Sequence, residues 1–369
     1  MDKLIDRFIK IMVEKGASDL HLLVPSPPVL RIDGKLIPQT DLPQMTPELV
    51  NQIFESIASP QQVETFHREQ ELDFSYSVAG LARSRVNVLK QRGTIGIAFR
   101  LISFTIRSID DLGLPQILKE LVLAPRGLIL LTGHAGSGKS TTLAAMINHL
   151  NKHETRNIIT IEDPIEYLYH NDKCVIIQRD LGDDTRSFAA ALKFALRHDP
   201  DVIVVGEMRD LETISTALTA AETGHLVIGT LHTLDAAQTI DRVIDLFPPN
   251  QQHQVAVELS QILVAVISQH LLPHIGGGRV AACEILTANP AVRNLIREGK
   301  VFQLPGIMQI RSKDGMQTLN QVLADFVKRH IVTRENAMVK TSDPEQLIKL
   351  INSSAGITAT AFAAPEAGG

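Results

Sequence analysis

The chain has 369 residues, 44% of them hydrophobic, enough length and apolar content for two domains with a core in each. Its formal net charge of −5 provides no overall basic field of the kind that draws nucleic acid or anionic lipid. Two cysteines, Cys174 and Cys283, are too few for a disulfide framework and too far apart for a C-x-x-C metal site, so a reducing compartment is the natural reading.

The opening MDKLIDRFIKIMVEKG scatters charges among its apolar positions, unlike a signal peptide. Leu4, Ile5, Phe8, Ile9, Met12 and Val13 form a helical stripe that stops at Gly16. In VLRIDGKLIP, Asp33-Gly34 between two β-prone arms predicts a hairpin, and Thr46-Pro47 supplies the cap and first-turn proline of a helix. LDFSYSVA, SRVNVLK and TIGIAFRLI read as three strands. These elements predict an α+β domain over residues 1–103, with a linker at 104–113 inside ISFTIRSIDDLGLP. Arg83, Arg85 and Asn87 alternate with Ser84, Val86 and Val88, so they share one strand face. Such a face is either solvated or presents arginine to phosphate, which guanidinium forks suit.

Over residues 114–352, apolar strands alternate with helical patterns, the signature of an α/β domain with a parallel sheet covered on both faces. GHAGSGKST, residues 133–141, fills the G-x-x-x-x-G-K-[ST] pattern with Gly133, Gly138, Lys139 and Ser140. An apolar run at 128–131 precedes it, and Leu143, Met146, Ile147 and Leu150 follow at helical spacing. Strand, glycine loop and helix is the order that phosphate binding needs. Backbone N–H groups across Ala135, Gly136, Ser137 and Thr141 close around phosphate oxygens, aided by the helix N-terminus. Lys139 neutralises the outer phosphates and the Ser140 hydroxyl is placed for Mg²⁺.

The other strands end informatively. Residues 158–161 run into Glu162-Asp163-Pro164, 202–205 into Gly206-Glu207, and 226–230 into Leu231-His232-Thr233. Ligands of parallel sheets sit beyond the carboxyl ends of the strands, so Lys139, Glu162, Glu207 and His232 are expected at one site. Glu207 either orients Mg²⁺ through water or accepts a proton from the attacking water, and Glu162 has the same two roles open. His225 and His232 flank one short strand and lie on the order of 20 Å apart, so they do not share a phosphate. His232 is on the nucleotide side, and His225 is structural or at a subunit contact. Arg197 precedes its strand, at the end away from its own nucleotide, and would act on a neighbouring subunit or in coupling; Arg209 and Arg279 are further candidates. The run VAVELSQILVAVISQHLL is broken by Glu258, Gln261 and Gln269 and does not suit a membrane span, so a soluble or peripheral protein is expected. In AVRNLIREGK, residues 291–300, Val292, Leu295 and Ile296 anchor a helix while Arg293, Arg297 and Lys300 project a basic edge. The small, polar tail at 353–369 reads as disordered.

ITIEDPIEY (159–167), DPDVIVVGEMRD (199–210) and AAETGHLVIGTLHT (220–233) resemble the Asp box, Walker B and His box of the secretion ATPases that drive type II secretion and type IV pili. The resemblance extends through GASDLHL, RVNVLKQRG, AVRNLIREGK and GMQTLNQVLADFV, and this full set is similar to the retraction branch behind twitching motility. It implies a PAS-like N-terminal domain before a RecA-like P-loop NTPase domain, and a homohexameric ring that binds ATP and Mg²⁺ between the domains. It further implies ATP hydrolysis coupled to pilus retraction at the inner face of the cytoplasmic membrane. The implied partners are an inner-membrane platform protein and related pilus ATPases, with no nucleic acid. By the same resemblance Glu162 belongs to the acidic box near Mg²⁺, Glu207 is the catalytic base, His232 contacts the γ-phosphate, and Arg293 with Arg297 marks the coupling surface. His134-Ala135 stand where relatives often have Pro-Thr, and the four-cysteine zinc motif common in assembly ATPases is absent. The alternatives are an accessory retraction or assembly ATPase, a RecA-like nucleic-acid translocase, and a non-hydrolysing sensor. Net acidity and few aromatic stacking platforms disfavour the translocase; Glu207 and His232 speak against the sensor.

Overall fold

The computed structural model describes residues 3–32, 34–102 and 105–353. Asp33 of the expected hairpin turn and the expected tail from residue 354 onward lie outside the described residues. The chain divides into two compact units, residues 1–105 with 164–168, and 106–163 with 169–369. The grouping of 164–168 with the first unit departs from the contiguous division drawn on sequence. A return of so few residues leaves no periodic signal.

In the first unit, α1 (Leu4–Glu14) buries Ile5, Phe8, Ile9 and Met12, the stripe its spacing predicts. Strands β1 (Asp19–Leu22), β2 (Val29–Ile32) and β3 (Lys35–Pro38) follow. Helix α2 (Pro47–Ile57) starts where the Thr46 hydroxyl accepts from Leu49 N at 3.2 Å, and α3 (Pro60–Glu69) is opened by a Ser59–Gln62 capping box. Strands β4 (Glu71–Val78), β5 (Ala82–Gln91) and β6 (Thr94–Ile102) complete a six-stranded sheet of order β3-β2-β1-β6-β5-β4, antiparallel at every pairing. Val86 and Val88 point into its core while Arg83, Arg85 and Asn87 take the other face.

The second unit contains α4 (Ile117–Val122), β7 (Gly127–Thr132), α5 (Lys139–His153), β8 (Asn157–Glu162), β9 (Val175–Asp180), α6 (Phe188–Ala195) and β10 (Val202–Val205). It continues through α7 (Leu211–Glu222), β11 (Leu226–Thr230), α8 (Ala236–Asp245), α9 (Pro249–Ile262), β12 (Leu263–Pro273) and β13 (Arg279–Thr287). Helices α10 (Pro290–Arg297), α11 (Leu304–Ile310), α12 (Leu319–Lys328), α13 (Arg334–Met338) and α14 (Pro344–Asn352) close the chain. The seven strands form one sheet of order β13-β12-β7-β11-β10-β8-β9, parallel except for the β12–β13 pair. Both faces are covered, which explains the unbroken apolar runs. Leu128, Leu130, Ile203 and Val205 pack under α7, α8 and α9, while the alternate residues Ile129, Leu131, Val202 and Val204 pack under α4 and α5. A smaller core joins Leu272 and Ala282 to Leu323, Phe326 and Leu347 of the C-terminal helices. The run VAVELSQILVAVISQHLL is neither one helix nor a span, because α9 ends at Ile262 and β12 begins at Leu263. No helix among the described residues is long and apolar enough to cross a membrane.

Gly229 in β11 lies where an added Cβ would meet the Met208 sulfur at 2.0 Å. Gly229→Ala is therefore expected to destabilise the protein by about 1–3 kcal/mol through overpacking. An unchanged urea midpoint would show that Met208 yields without strain.

Candidate functional site

The inner strands stand in the order β7-β11-β10-β8, so the loops leaving their carboxyl ends are neighbours in that order. The loop after β7 carries the glycine-rich segment, the loop after β11 carries His232, the turn after β10 carries Glu207, and β8 ends on Glu162. Backbone bonds tie these ends together: Leu231 N donates to Leu131 O at 3.2 Å, Met208 N to Thr230 O at 2.9 Å, and Gly206 N to Ile161 O at 2.7 Å.

The phosphate loop is shaped by what lies behind it. Gly133, Gly136 and Gly138 have φ of 138°, 76° and 87°, values that L side chains rarely adopt. A Cβ on Gly133 would sit 2.4 Å from Gln269 O, and one on Gly138 2.8 Å from Gln269 Nε2. The Gln269 side chain is only 1% exposed. Its amide donates to Ser137 O at 2.7 Å, and its Oε1 accepts from the Thr142 hydroxyl of α5 at 2.7 Å. Lys139 Nζ lies over the loop, donating to Gly133 O at 2.6 Å and His134 O at 3.1 Å. Helix α5 begins at Lys139 without a side-chain cap on its first amides. Ser137 Oγ is buried without a hydrogen-bond partner. Uncapped amides, an orphaned hydroxyl and a lysine make a cradle for phosphate oxygens.

Next to it, Glu207 Oε1 lies 2.8 Å from His232 Nε2 and accepts a hydrogen bond from Arg209 Nε. The Glu207 side chain is 16% exposed, against 47% for His232 and 72% for Arg209. Burial pushes the Glu207 carboxyl up, but the Arg209 hydrogen bond and the nearby charges of His232 and Arg209 more than offset it, holding the group below its ordinary value. Glu162 accepts from the Thr160 hydroxyl at 2.6 Å and from Gln178 Nε2 at 3.0 Å. Its strand stands three places from β7, roughly 14 Å at normal strand spacing. Glu207 is thus one strand closer to the phosphate loop than Glu162.

The donor set suits a hard cation. Ser140 supplies a hydroxyl in the first turn of α5, and Glu162 or Glu207 would reach the ion through water. Among the described residues no group of three or more His, Cys, Asp or Glu could hold a metal by itself. Mg²⁺ fits such a site, because it keeps several waters and takes phosphate oxygens as ligands.

The remaining candidates lie elsewhere. His225 is at the opposite end of β11, with Nδ1 donating to Ala220 O at 2.9 Å. Arg197 is exposed and stacks over the Phe194 ring at 5.5 Å. Arg85 faces Asp73 at 3.7 Å within the first unit, where Asn87 also donates to Asp73, and Arg83 shares that strand face. Arg279 is exposed at the start of β13. Ala135 and Gly136 are exposed on the loop, and Ser140 and Thr141 are half-buried.

The expected basic edge of α10 loses its first arginine to the protein interior. Arg293 does not project from α10: its guanidinium donates to Ser260 O and Gln261 O at 2.6 Å each and to Leu263 O at 3.0 Å. These carbonyls sit at the helix-to-strand junction of α9 and β12, where the chain has no loop in which to solvate them. Burial pushes the Arg293 pKa down. Arg297 is exposed and donates to Asn294 Oδ1 at 2.7 Å.

Sequence reasoning missed Gln269, noticed only as a polar break in an apolar run. The signal was present, since a polar residue inside a strand buried on both faces demands a partner.

A glycine-rich loop before an uncapped helix, beside a carboxylate paired with histidine at the carboxyl edge of a parallel sheet, defines a P-loop ATPase. The chain belongs to the type II/IV secretion system protein family, whose model matches residues 1–347. It is 48% identical over 341 residues to the type IV pilus retraction ATPase PilT of Pseudomonas aeruginosa, covering 92% of this chain and 99% of that protein. It is 40% identical to the type IV pilus ATPase PilU of the same organism, covering 94% of this chain and 91% of that one. A crystal structure of the pilus retraction motor PilT with bound ADP superposes with a TM-score of 0.87 at 49% identity, covering 95% of this chain and all of that one.

Two predictions follow from the geometry. Arg293→Ala should cost about 1–3 kcal/mol in urea melts by stranding carbonyls that now accept charged hydrogen bonds, whereas Arg297→Ala should stay within about 0.5 kcal/mol. Equal effects would remove the junction role. Because Glu207 titrates below its ordinary value, its charged form persists until pH falls through that lowered value. Arg209→Ala leaves burial less opposed, so the acid limb of ATP turnover should move to higher pH. An unmoved limb would detach Arg209 from the Glu207 titration.

Proposed function

We propose that this chain is the ATP-hydrolysing motor subunit of a type IV pilus retraction machine. It works as a homohexamer at the cytoplasmic face of the inner membrane, against a platform protein that holds the pilus base. The observation that carries this reading is the Glu207–His232–Arg209 cluster beside a glycine loop that leads into a helix with no side-chain cap. The chain around it matches nearly the whole length of a pilus retraction ATPase.

In this mechanism the amides at the start of α5 and the Lys139 ammonium hold the phosphates of ATP and take up charge as the γ-phosphoryl departs. Ser140, with Glu162 or Glu207 through water, would hold Mg²⁺, which would supply further charge neutralisation at the same oxygens. Glu207 stays ionised at neutral pH and accepts the proton of the attacking water, while His232, bonded to the same carboxylate, senses the γ-phosphate position. Arg209 keeps the carboxylate charged and turned toward His232. The turn after β10 is bonded to the end of β11 through Met208 N and Thr230 O, so a displacement at Glu207 would reach the strand that leads to His232.

An accessory retraction role is the second reading, favoured less because identity is 40% to PilU against 48% to PilT. Cells lacking the protein should carry long pili that do not retract, and pilus imaging checks this; bald cells would point to assembly instead. Glu207→Gln keeps size but loses the base, so turnover should fall by about 10²–10⁴-fold while ATP still binds. Turnover within a few-fold of wild type would remove Glu207 from the chemistry. Light scattering with ATP should give six times the 40.5 kDa chain mass.

A further inference from the structure

Glu284 in β13 is a carboxylate that the proposed chemistry does not use. Its Oε1 accepts from Ala236 N, the first residue of α8, at 2.9 Å, and its Oε2 accepts from Leu319 N, the first residue of α12, at 3.1 Å. One side chain from a third element thus closes the N-termini of two helices. Burial pushes its carboxyl above the ordinary value, against two amides that favour its charge.

Helix capping alone does not account for this arrangement. Helix α8 already has Asp235, whose Oδ1 accepts from Gln238 N at 2.8 Å, and α12 already has a Thr318–Gln321 capping box. What Glu284 adds is a link. The start of α12 is fixed to β13 independently, by paired backbone bonds between Ile285 and Gln317 at 2.9 and 3.1 Å and by Gln317 Nε2 donating to Cys283 O at 2.7 Å. The start of α8 follows directly on the loop that carries His232. That loop is steadied by His270 Nε2 donating to Leu234 O at 3.0 Å. The Glu284 carboxylate extends the rigid β13–α12 frame to the end of the His232 loop.

We propose that Glu284 is a positioning residue that ties the His232 loop to helix α12, setting His232 against Glu207 and passing the state of the phosphate site to the C-terminal helices. The proposal rests on the assignment of His232 to the γ-phosphate side. Two rigid elements joined through one two-oxygen contact move together. Losing one of the two bonds frees the His232 loop by a fraction of an ångström without unfolding either helix. Displacements of about 1 Å at a reacting centre cost on the order of 10²-fold in rate, so a partial release should cost roughly tenfold.

Glu284→Gln keeps the size of the side chain but sets an NH₂ group against one of the two amide donors. ATP turnover should fall about tenfold, with affinity for fluorescent ADP within about twofold of wild type. Combined with His232→Ala, the substitution should slow turnover no further than His232→Ala alone, since both act through one group. Unchanged turnover, additive losses, or parallel loss of ADP affinity and rate would each overturn the tie. Wild-type turnover by His232→Ala alone would instead overturn the role given to His232. Hydrogen exchange on the unmodified protein then tests the tie by itself, and serves equally if the Gln variant does not fold. Amide exchange in the first turn of α12 should slow when a non-hydrolysable ATP analogue and Mg²⁺ are added, and unaltered exchange there would refute the link.

Discussion

The phosphate loop keeps its shape because Gln269 fills the space behind it. Its amide holds Ser137 O, its carbonyl oxygen holds the Thr142 hydroxyl, and its backbone oxygen lies too near Gly133 for any Cβ. A buried amide with both ends satisfied is a rigid contact, and stranding either end would cost about 1–3 kcal/mol. Beside it the Thr132 and Ser268 hydroxyls meet at 2.7 Å across the β7–β12 pair. The uncapped start of α5, the reach of Lys139 and the placement of Ser140 all depend on this backing. A parallel partner strand makes it possible, since β12 runs alongside β7 and delivers Gln269 to the carboxyl edge in register.

That edge distributes the chemistry. Strands β7, β11, β10 and β8 each contribute one loop, and backbone hydrogen bonds join the neighbouring strand ends. The Thr230 hydroxyl donates to Gly206 O and Met208 N donates back to Thr230 O, so the turn bearing Glu207 is stitched to the strand that leads to His232. Gly206 itself fits only without a side chain, because a Cβ would lie 2.9 Å from Ile161 O. Glu162, at the next strand end, is oriented by Thr160 and Gln178 instead, one strand further from the phosphate loop than Glu207.

What was legible in the sequence was local. The glycine spacing of residues 133–141, the four apolar runs and the residues that end them gave the sheet's carboxyl edge and the Glu207–His232 neighbourhood, because strand ends in a parallel sheet converge whatever the connections. The Asp73–Arg85 pair and the capping box of α3 were readable in principle from alternation and from Ser59 with Gln62. That Gln269 needs a partner was readable from its place in a doubly buried strand, but the groups that Gln269 and Glu284 meet were not, since they lie 132 and 48 residues away in the chain and no periodicity encodes such a meeting. The junction at Ile262–Leu263 was hidden for another reason: a buried helix and a buried strand are both apolar, and with no turn between them the change of period has nothing to mark it.

Arg293 shows how such a hidden junction changes the reading of a surface. A helix that passes straight into a strand leaves its last carbonyls without amide partners, and the guanidinium of Arg293 supplies donors for two of them, Ser260 O and Gln261 O, and for Leu263 O at the start of β12. A residue that spacing alone places on a basic edge is consumed as an internal cap. The charge that remains on α10 is correspondingly thin. Lys300 pairs with Glu298 at 2.8 Å, leaving Arg297, which is bonded to a neutral amide. Just beyond it, Phe302 is 76% exposed and Ile310 78% exposed. The corner following α10 is therefore more apolar than its sequence implies, and an attraction there would depend less on salt than a stripe of arginines would.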